Sequence, residues 1–184
     1  MVTAVHAETL GDWLTGLTGK GSARWTKEKG TLAYHGGATF GWAVLPKSSL
    51  RDGFVQVSFK PVSGREDQAG GVVWRWRDAN NYYVARGNAL EDNVVAYKVV
   101  NGRRTDLKPV GASAGAYGVK APVPSGAWHT LRVHFRGAEF SVTFDGQQLF
   151  IVRDETFPEA GAVGVWSKAD SVTEFDQFQY EATR

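Results

Sequence analysis

Hydrophobic and polar residues alternate in short runs along most of the chain. The clearest runs occupy residues 54–59, 72–77, 82–88, 94–100, 131–135, 140–144 and 173–180. A period of two is typical of a β-strand that buries one face. No stretch of a dozen residues keeps its apolar positions at helical spacing. The pattern therefore predicts an all-β chain of roughly ten to twelve strands.

Turn sequences separate these runs at hairpin spacing. Asn101-Gly102 and Asp145-Gly146 are two-residue hairpin signals. This spacing favours a jelly-roll β-sandwich of two antiparallel sheets. The chain has neither an internal repeat nor a linker, which predicts a single domain over residues 1–184, with residues 1–24 as an N-terminal lead-in. Residues 111–126, rich in Gly, Ala, Pro and Ser, predict one long loop.

Alternation also assigns side chains to the two faces of a sheet. In the run at 72–77, Trp74 and Trp76 share one face and Arg75 and Arg77 the other. Since burial of an unpaired arginine is costly, the arginine face is predicted to point outward. Extended to the next two strands, this predicts inward Trp74, Trp76, Tyr83, Val95, Tyr97 and Val99, and outward Arg75, Arg77, Tyr82, Arg86, Asn88 and Lys98. The same test points His134, Trp166 and Lys168 outward. We expect a broad, polar, concave face.

Composition and charge narrow the classes of partner. A chain of 184 residues, 42% of them hydrophobic, has the size and composition of one globular domain. The formal charge of +2 argues against a nucleic-acid partner, and Arg103 and Arg104 are interpreted as a solvated hairpin tip. Cysteine is absent, which excludes disulfides and thiolate metal sites. No apolar run approaches the ~18 residues of a membrane span.

Several segments together resemble one bacterial family. They are residues 66–75, 78–93, 128–133, 144–146, 161–171 and 175–178. In these segments the chain resembles proteins with a concanavalin A-like, or laminin-G-like, jelly roll, and the similarity extends from Trp25 to Tyr180. The characterised relatives of that family are the 3-keto-disaccharide hydrolase domains.

The resemblance implies a two-sheet jelly roll, a carbohydrate partner and export of the protein. We therefore expect a secreted or periplasmic location. Val5-His6-Ala7 has the small-residue pattern that precedes a signal-peptidase cut, and residues 1–7 are interpreted as the remnant of a leader.

The leading functional hypothesis is that the polar concave face binds a glycan. Sugar rings stack on exposed aromatic side chains, and arginine, lysine and asparagine hydrogen-bond sugar hydroxyls. The candidate ligand-binding residues are Arg75, Tyr82, Arg86, Asn88, Lys98, Trp166 and Lys168. A structural or interaction domain with no sugar site is an alternative hypothesis.

The second hypothesis is a 3-keto-glycoside hydrolase or lyase. A ketone at C3 of a sugar acidifies the proton on C2, so that a single base can begin an elimination while a cation stabilises the enolate. Glu91 and His134 are the candidate catalytic bases, with Glu174 as a third, and an arginine or Lys98 of the polar face would supply the cation.

Two further carbohydrate chemistries have weaker support. Ordinary glycoside hydrolysis needs two opposed carboxylates, and Glu174 and Asp176 lack the third group that jelly-roll glucanases place on that strand. A polysaccharide lyase would suit a cationic face, but the tyrosine-containing strand motif of such enzymes is missing. No cofactor is required. The resemblance implies a structural calcium ion in some relatives, with Asp176 as the candidate ligand here. The sequence carries no prediction of oligomeric state.

Overall fold

The computed structural model describes residues 7–184, and this part of the chain is built from sixteen β-strands. The all-β prediction is confirmed, with more strands than the pattern indicated. The strands are β1 Glu8–Leu10, β2 Trp13–Gly21, β3 Trp25–Glu28, β4 Thr31–His35, β5 Ala38–Leu50, β6 Gly53–Ser63, β7 Ala69–Asp78, β8 Asn81–Asn88, β9 Asn93–Val100, β10 Arg103–Asp106, β11 Val119–Lys120, β12 His129–Arg136, β13 Glu139–Phe144, β14 Gln147–Arg153, β15 Gly161–Ala169 and β16 Val172–Ala182.

The strands form two antiparallel sheets. The first has nine strands in the order β1-β2-β5-β15-β7-β8-β9-β10, with β11 also paired to β9. The second has seven strands in the order β14-β13-β12-β6-β16-β4-β3. Each sheet therefore combines strands from the beginning and the end of the chain.

The lead-in predicted for residues 1–24 contributes two strands, β1 and β2, to the first sheet. β2 pairs with β5 over most of its length, with Leu14 opposite Val44 and Gly16 opposite Trp42. A Cβ atom at Gly16 would overlap the Trp42 ring. The glycine therefore weakens the alternating pattern of β2 but leaves space for Trp42. Residues 1–6, most of the supposed leader remnant, lie outside the described residues. The loop predicted for 111–126 is interrupted by β11.

The main core lies between the two sheets. The Trp74 ring contacts the Tyr83 ring, with centroids 5.4 Å apart, and the Phe140 ring of the second sheet at 5.3 Å. The inward orientation predicted for Trp74 and Tyr83 is therefore confirmed. Large aromatic side chains of this kind contribute most of the buried apolar area between two sheets.

A bulge in β7 reverses the face assignment of Arg75 and Trp76. Arg75 has φ of 47°, and the pairing of β7 with β8 shifts register between Trp74 and Asp78. Such a bulge adds a residue to one strand and inverts the alternation beyond it. Trp76 consequently packs on Trp42, on the face away from the second sheet, while Arg75 turns between the sheets, over the rings of Phe135 and Phe140.

The face assignment of β9 is also wrong, because of its register with β8. Tyr82 stands opposite Val99, and Arg86 stands opposite Val95. Directly opposed residues share a face, so Val95, Tyr97 and Val99 lie on the outer face with Tyr82 and Arg86. Lys98 stands opposite Tyr83 instead. Residues 94–97 are apolar or aromatic on both faces, so alternation did not determine the orientation of this strand.

Candidate functional site

The outer face of the first sheet is strongly concave. The Oγ1 atom of Thr18 on β2 lies 2.8 Å from the Oη atom of Tyr82 on β8, although three strands separate these two in the sheet. The Arg104 guanidinium on β10 likewise lies 5.0 Å from the Phe40 ring centroid on β5. The two edges of the sheet therefore curl toward each other.

A second apolar cluster fills the middle of this face, here called the concave cluster. It consists of Phe40, Trp42, Val44, Ala69, Val73, Tyr82, Val84, Val95, Tyr97, Val99, Ala162 and Trp166. Tyr82 and Trp166 are completely buried, and the Trp166 indole donates a hydrogen bond to the Tyr82 hydroxyl at 3.3 Å. Burial raises the pKa of Tyr82 to about 12. The expectation of a broad, solvent-facing polar surface is therefore wrong for the centre of the face.

Arg104 covers this cluster. Its guanidinium lies 4.3 Å from the Tyr97 ring centroid and 5.9 Å from that of Trp166. The interpretation of Arg103 and Arg104 as a solvated hairpin tip thus holds for Arg103, which is exposed, and fails for Arg104. Successive residues of β10 point to opposite faces, which is the signal that would have identified Arg104.

One end of the concave face opens into a cleft of about 540 Å³, here called the Lys168 cleft. Its lining combines polar and charged side chains with small residues and the Phe40 ring. The lining residues are Lys20, Gly21, Gly37, Ala38, Thr39, Phe40, Glu66, Lys168, Ala169 and Asp170. A cleft of this size and mixed chemistry can accept a small polar ligand.

Asp67 fixes the position of Lys168 at this cleft. The Asp67 side chain is only 7% exposed, and it pairs with the Lys168 ammonium at 2.8 Å. The Asn88 amide donates to its other oxygen at 2.7 Å. The structure therefore brings together two residues that the sequence analysis selected, Asn88 and Lys168, through a carboxylate that it did not select.

Asp170 fixes the loop that carries Glu66 and Asp67. Its carboxylate accepts backbone N–H groups of Arg65 at 2.7 Å and Asp67 at 3.0 Å, and that of Glu66 as well. Burial alone would raise the pKa of Asp170, but these hydrogen bonds outweigh it and lower the pKa. The sequence signal was the position of Asp170 in the turn directly after Lys168.

Arg86 lies on the concave face, and neighbouring side chains already bind its guanidinium. The guanidinium is buried and forms an ion pair with Glu91 at 2.6 Å, and it donates to the hydroxyl of Tyr97 at 2.8 Å and to the side chain of Asn93. Glu91, by contrast, has 43% of its side chain exposed. Arg86 thus orients Glu91 and Tyr97 in the folded protein.

Arg75 and Lys98 do not join the other candidate residues. Arg75 donates to the carbonyls of Phe157 at 2.9 Å and Gly137 at 2.7 Å, and burial lowers its pKa. Lys98 pairs with Asp154 at 3.0 Å. Both therefore lie off the concave face, contrary to the prediction.

The two candidate catalytic residues are also separated. Glu91 follows β8 in the first sheet, whereas His134 belongs to β12 of the second sheet, opposite Phe54 and Ser141. His134 is exposed on the outer face of that sheet. The third candidate base, Glu174, is paired with Lys60 at 2.7 Å.

Asp176 does not have the surroundings of a calcium ligand. Its carboxylate accepts the backbone N–H of Gln177 at 2.7 Å and a hydroxyl of Thr31 at 3.4 Å. Within residues 7–184, no three His, Cys, Asp or Glu side chains come together in a way that suits a metal ion. Calcium takes about six to eight oxygen ligands, and the donors around Asp176 do not fit such a site.

The described residues include no helix that could cross a membrane.

The concave face has a second opening of about 470 Å³, where Trp42 and Trp76 meet the polar residues Asp78, Asn80 and Asn101.

Comparison with known proteins identifies the architecture. No protein-family model matches the chain, and no curated protein matches it in sequence. Among solved structures, the carbohydrate-binding module CBM66 from Bacillus subtilis superposes with a TM-score of 0.76 at 20% identity, over 92% of this chain and 95% of that chain.

Two further structures share the fold. The cellulose-induced protein Cip1 superposes with a TM-score of 0.64 at 13% identity, over 94% of this chain and 92% of that chain. A Bacillus subtilis protein with a galectin-like fold gives a TM-score of 0.61 at 11% identity, over 92% and 89% of the two chains. At these identities the likeness concerns the fold alone, and it confirms the jelly-roll β-sandwich.

Proposed function

We propose that this protein binds a neutral glycan in the Lys168 cleft. The observation that carries the proposal is the buried Asp67 carboxylate, which holds Lys168 at 2.8 Å and Asn88 at 2.7 Å beside a polar cleft. A site whose side chains are already held in place loses little conformational freedom when a ligand binds. The solved structure of a carbohydrate-binding module with the same fold supports a sugar as the ligand.

The cleft offers the groups that a sugar requires. The Lys168 ammonium donates hydrogen bonds, the Glu66 carboxylate accepts them and the Thr39 hydroxyl does both, which matches hydroxyls that donate and accept. The Phe40 ring supplies an apolar surface for the C–H face of a sugar ring.

The charges of the cleft favour a neutral sugar. Lys20 and Lys168 are balanced by Glu66 and Asp170. Lys168 is already paired with Asp67, so a uronate entering the cleft would meet more negative than positive charge, which is unfavourable. The proposal therefore excludes acidic polysaccharides as preferred ligands.

The test is calorimetric titration of wild type and Lys168→Ala with neutral oligosaccharides and their uronate counterparts. A hydrogen bond to a charged group contributes about 1.5–3 kcal/mol, so loss of the ammonium should weaken binding at least about tenfold. Wild type should prefer the neutral sugars.

Lys98→Ala is the matched control. Lys98 also pairs with a largely buried aspartate, Asp154, at 3.0 Å, but it lies away from the concave face. The two variants should lose similar stability, and only Lys168→Ala should lose affinity. Equal affinity of Lys168→Ala and wild type, or a loss in Lys98→Ala as large as in Lys168→Ala, would contradict the assignment of the site.

The enzymatic alternative, a 3-keto-glycoside hydrolase or lyase, has no comparable support. Glu91 is paired with Arg86, and His134 belongs to the other sheet, so the two candidate bases do not share one site. Mass spectrometry of 3-keto-disaccharides incubated with the protein should therefore detect no product. Turnover that is lost in Glu91→Gln would support the enzyme instead.

A further inference from the structure

Trp128 is the exposed tryptophan of this protein. All seven tryptophans lie within the described residues, and the other six are buried or half-buried, whereas Trp128 is 46% exposed. It directly precedes β12, in the second sheet, on the opposite side of the sandwich from the concave face. A large aromatic ring that remains in water contributes little to the core and is accessible to a ligand.

Trp128 borders a small hollow whose other lining residues are polar. The hollow has a volume of about 260 Å³ and is lined by Trp128, Ser58, Asp176 and Gln177. Ser58 and Asp176 are directly opposed on neighbouring strands, so the hydroxyl and the carboxylate lie side by side. A ring next to a hydroxyl, a carboxylate and an amide suits a sugar better than an apolar protein surface.

The backbone is distorted at this hollow. Gln177 has φ of 50°, and the pairing of β16 with β6 shifts register between Asp176 and Gln179. A residue other than glycine in the left-handed region is strained. Bulges of this kind reorient a side chain, here the Gln177 amide, which accepts a hydrogen bond from Ser58 at 3.4 Å.

Lys60 lies next to the hollow and contacts the Trp128 ring. Its ammonium lies 5.1 Å from the Trp128 ring centroid and pairs with Glu174 at 2.7 Å. The contact orients the indole ring without filling the hollow, since Lys60 is not one of its lining residues.

We propose that the Trp128 hollow is a second carbohydrate site, which takes one neutral sugar ring of a polysaccharide. The ring stacks on Trp128, and its hydroxyls bond to Asp176 and Gln177. The inference extends the proposed function to the opposite side of the sandwich, and it stands or falls separately from the Lys168 cleft. Two sites on opposite sides of one domain would raise the affinity for a matrix whose chains can reach both sides more than for a single sugar.

The experiment measures depletion of the protein from solution by cellulose, chitin and starch granules. Trp128→Ala should reduce the affinity for the bound matrix about tenfold, the equivalent of ~1.4 kcal/mol. Tyr180→Ala is the matched control, because Tyr180 is an aromatic residue 41% exposed on β16, and its affinity should stay within about twofold of wild type, a change of under ~0.5 kcal/mol.

Gln177→Gly separates loss of binding from loss of folding. Glycine relieves the positive φ, so this variant should be as stable as wild type or more stable, and it should still bind less well because the amide is gone. Lys168→Ala in the same assay shows whether a loss belongs to this hollow or to the Lys168 cleft.

Three results would overturn the inference. In the first, Trp128→Ala binds a matrix as tightly as wild type does, while Lys168→Ala no longer binds that matrix. This result leaves the proposed function intact. Another is a wild-type dimer that Trp128→Ala converts to a monomer while the affinity stays the same, which would make the ring a contact between copies. Failure of wild type to bind any matrix or oligosaccharide overturns both proposals.

Discussion

At the scale of single residues, three arginines that were all predicted to face solvent have three different structural roles. Arg75 is clamped by backbone carbonyls between the sheets, Arg86 is paired with Glu91, and Arg104 covers aromatic rings. The premise that an unpaired buried arginine is costly was sound, but each of these side chains has partners, some of them distant in the chain, as Phe157 and Gly137 are from Arg75. Alternation carries no information about such partners.

Arg75→Ala should therefore reduce stability rather than glycan binding. The variant leaves the carbonyls of Arg51, Gly137 and Phe157 without their donor and opens a cavity between two aromatic rings. Each buried acceptor left without a donor costs about 1–3 kcal/mol, so we expect a loss of about 3 kcal/mol or more in the free energy of unfolding, measured with urea. Arg77→Ala, an exposed position on the same strand, should change it by less than about 0.5 kcal/mol.

A stable Arg75→Ala variant that no longer binds glycan would contradict this role and return Arg75 to the binding site.

At the scale of elements, bulges and register determine which side chains reach the concave face. The bulge at Arg75 moves Trp76 to that face, and the pairing of β8 with β9 moves Tyr97 there. The short strand β10 then places Arg104 above the resulting aromatic surface. β10 is thus a cover for the concave cluster, a role that its four polar residues do not indicate.

Arg104→Ala should destabilise the protein by uncovering this cluster. Three contacts between the guanidinium and the rings of Phe40, Tyr97 and Trp166 are lost, which together should cost about 1–2 kcal/mol. Tryptophan fluorescence should also become more sensitive to acrylamide, because Trp166 gains exposure. Arg103→Ala, on the opposite face of β10, should leave both measurements unchanged, and equal effects of the two variants would show that Arg104 is not the cover.

At the scale of the whole molecule, the strand order ties the two ends of the chain together. In the first sheet β15 lies between β5 and β7, and in the second β16 lies between β6 and β4. No sheet can therefore be completed until the last strands of the chain are in place. Domains with many such distant pairings fold slowly for their size.

The protein should consequently unfold as one cooperative unit. Far-UV circular dichroism and tryptophan fluorescence should give the same midpoint in urea, since both sheets share one core. Two separate midpoints would contradict the single domain predicted over residues 1–184 and would divide the sandwich into units of different stability.

The periodic pattern by itself determined the fold class, because alternation at a period of two needs only neighbouring residues to specify a strand with one buried face. It also predicted the inward orientation of Trp74 and Tyr83, and it selected Asn88 and Lys168. The remaining features depended on the tertiary structure. The bulge at Arg75 and the register of β9 depend on how strands pair, and the contacts of Asp67 and Asp170 join residues about a hundred positions apart, so a local pattern does not specify them. Lys168 could be recognised from the sequence, but only the folded chain places a buried aspartate beside it and a cleft in front of it.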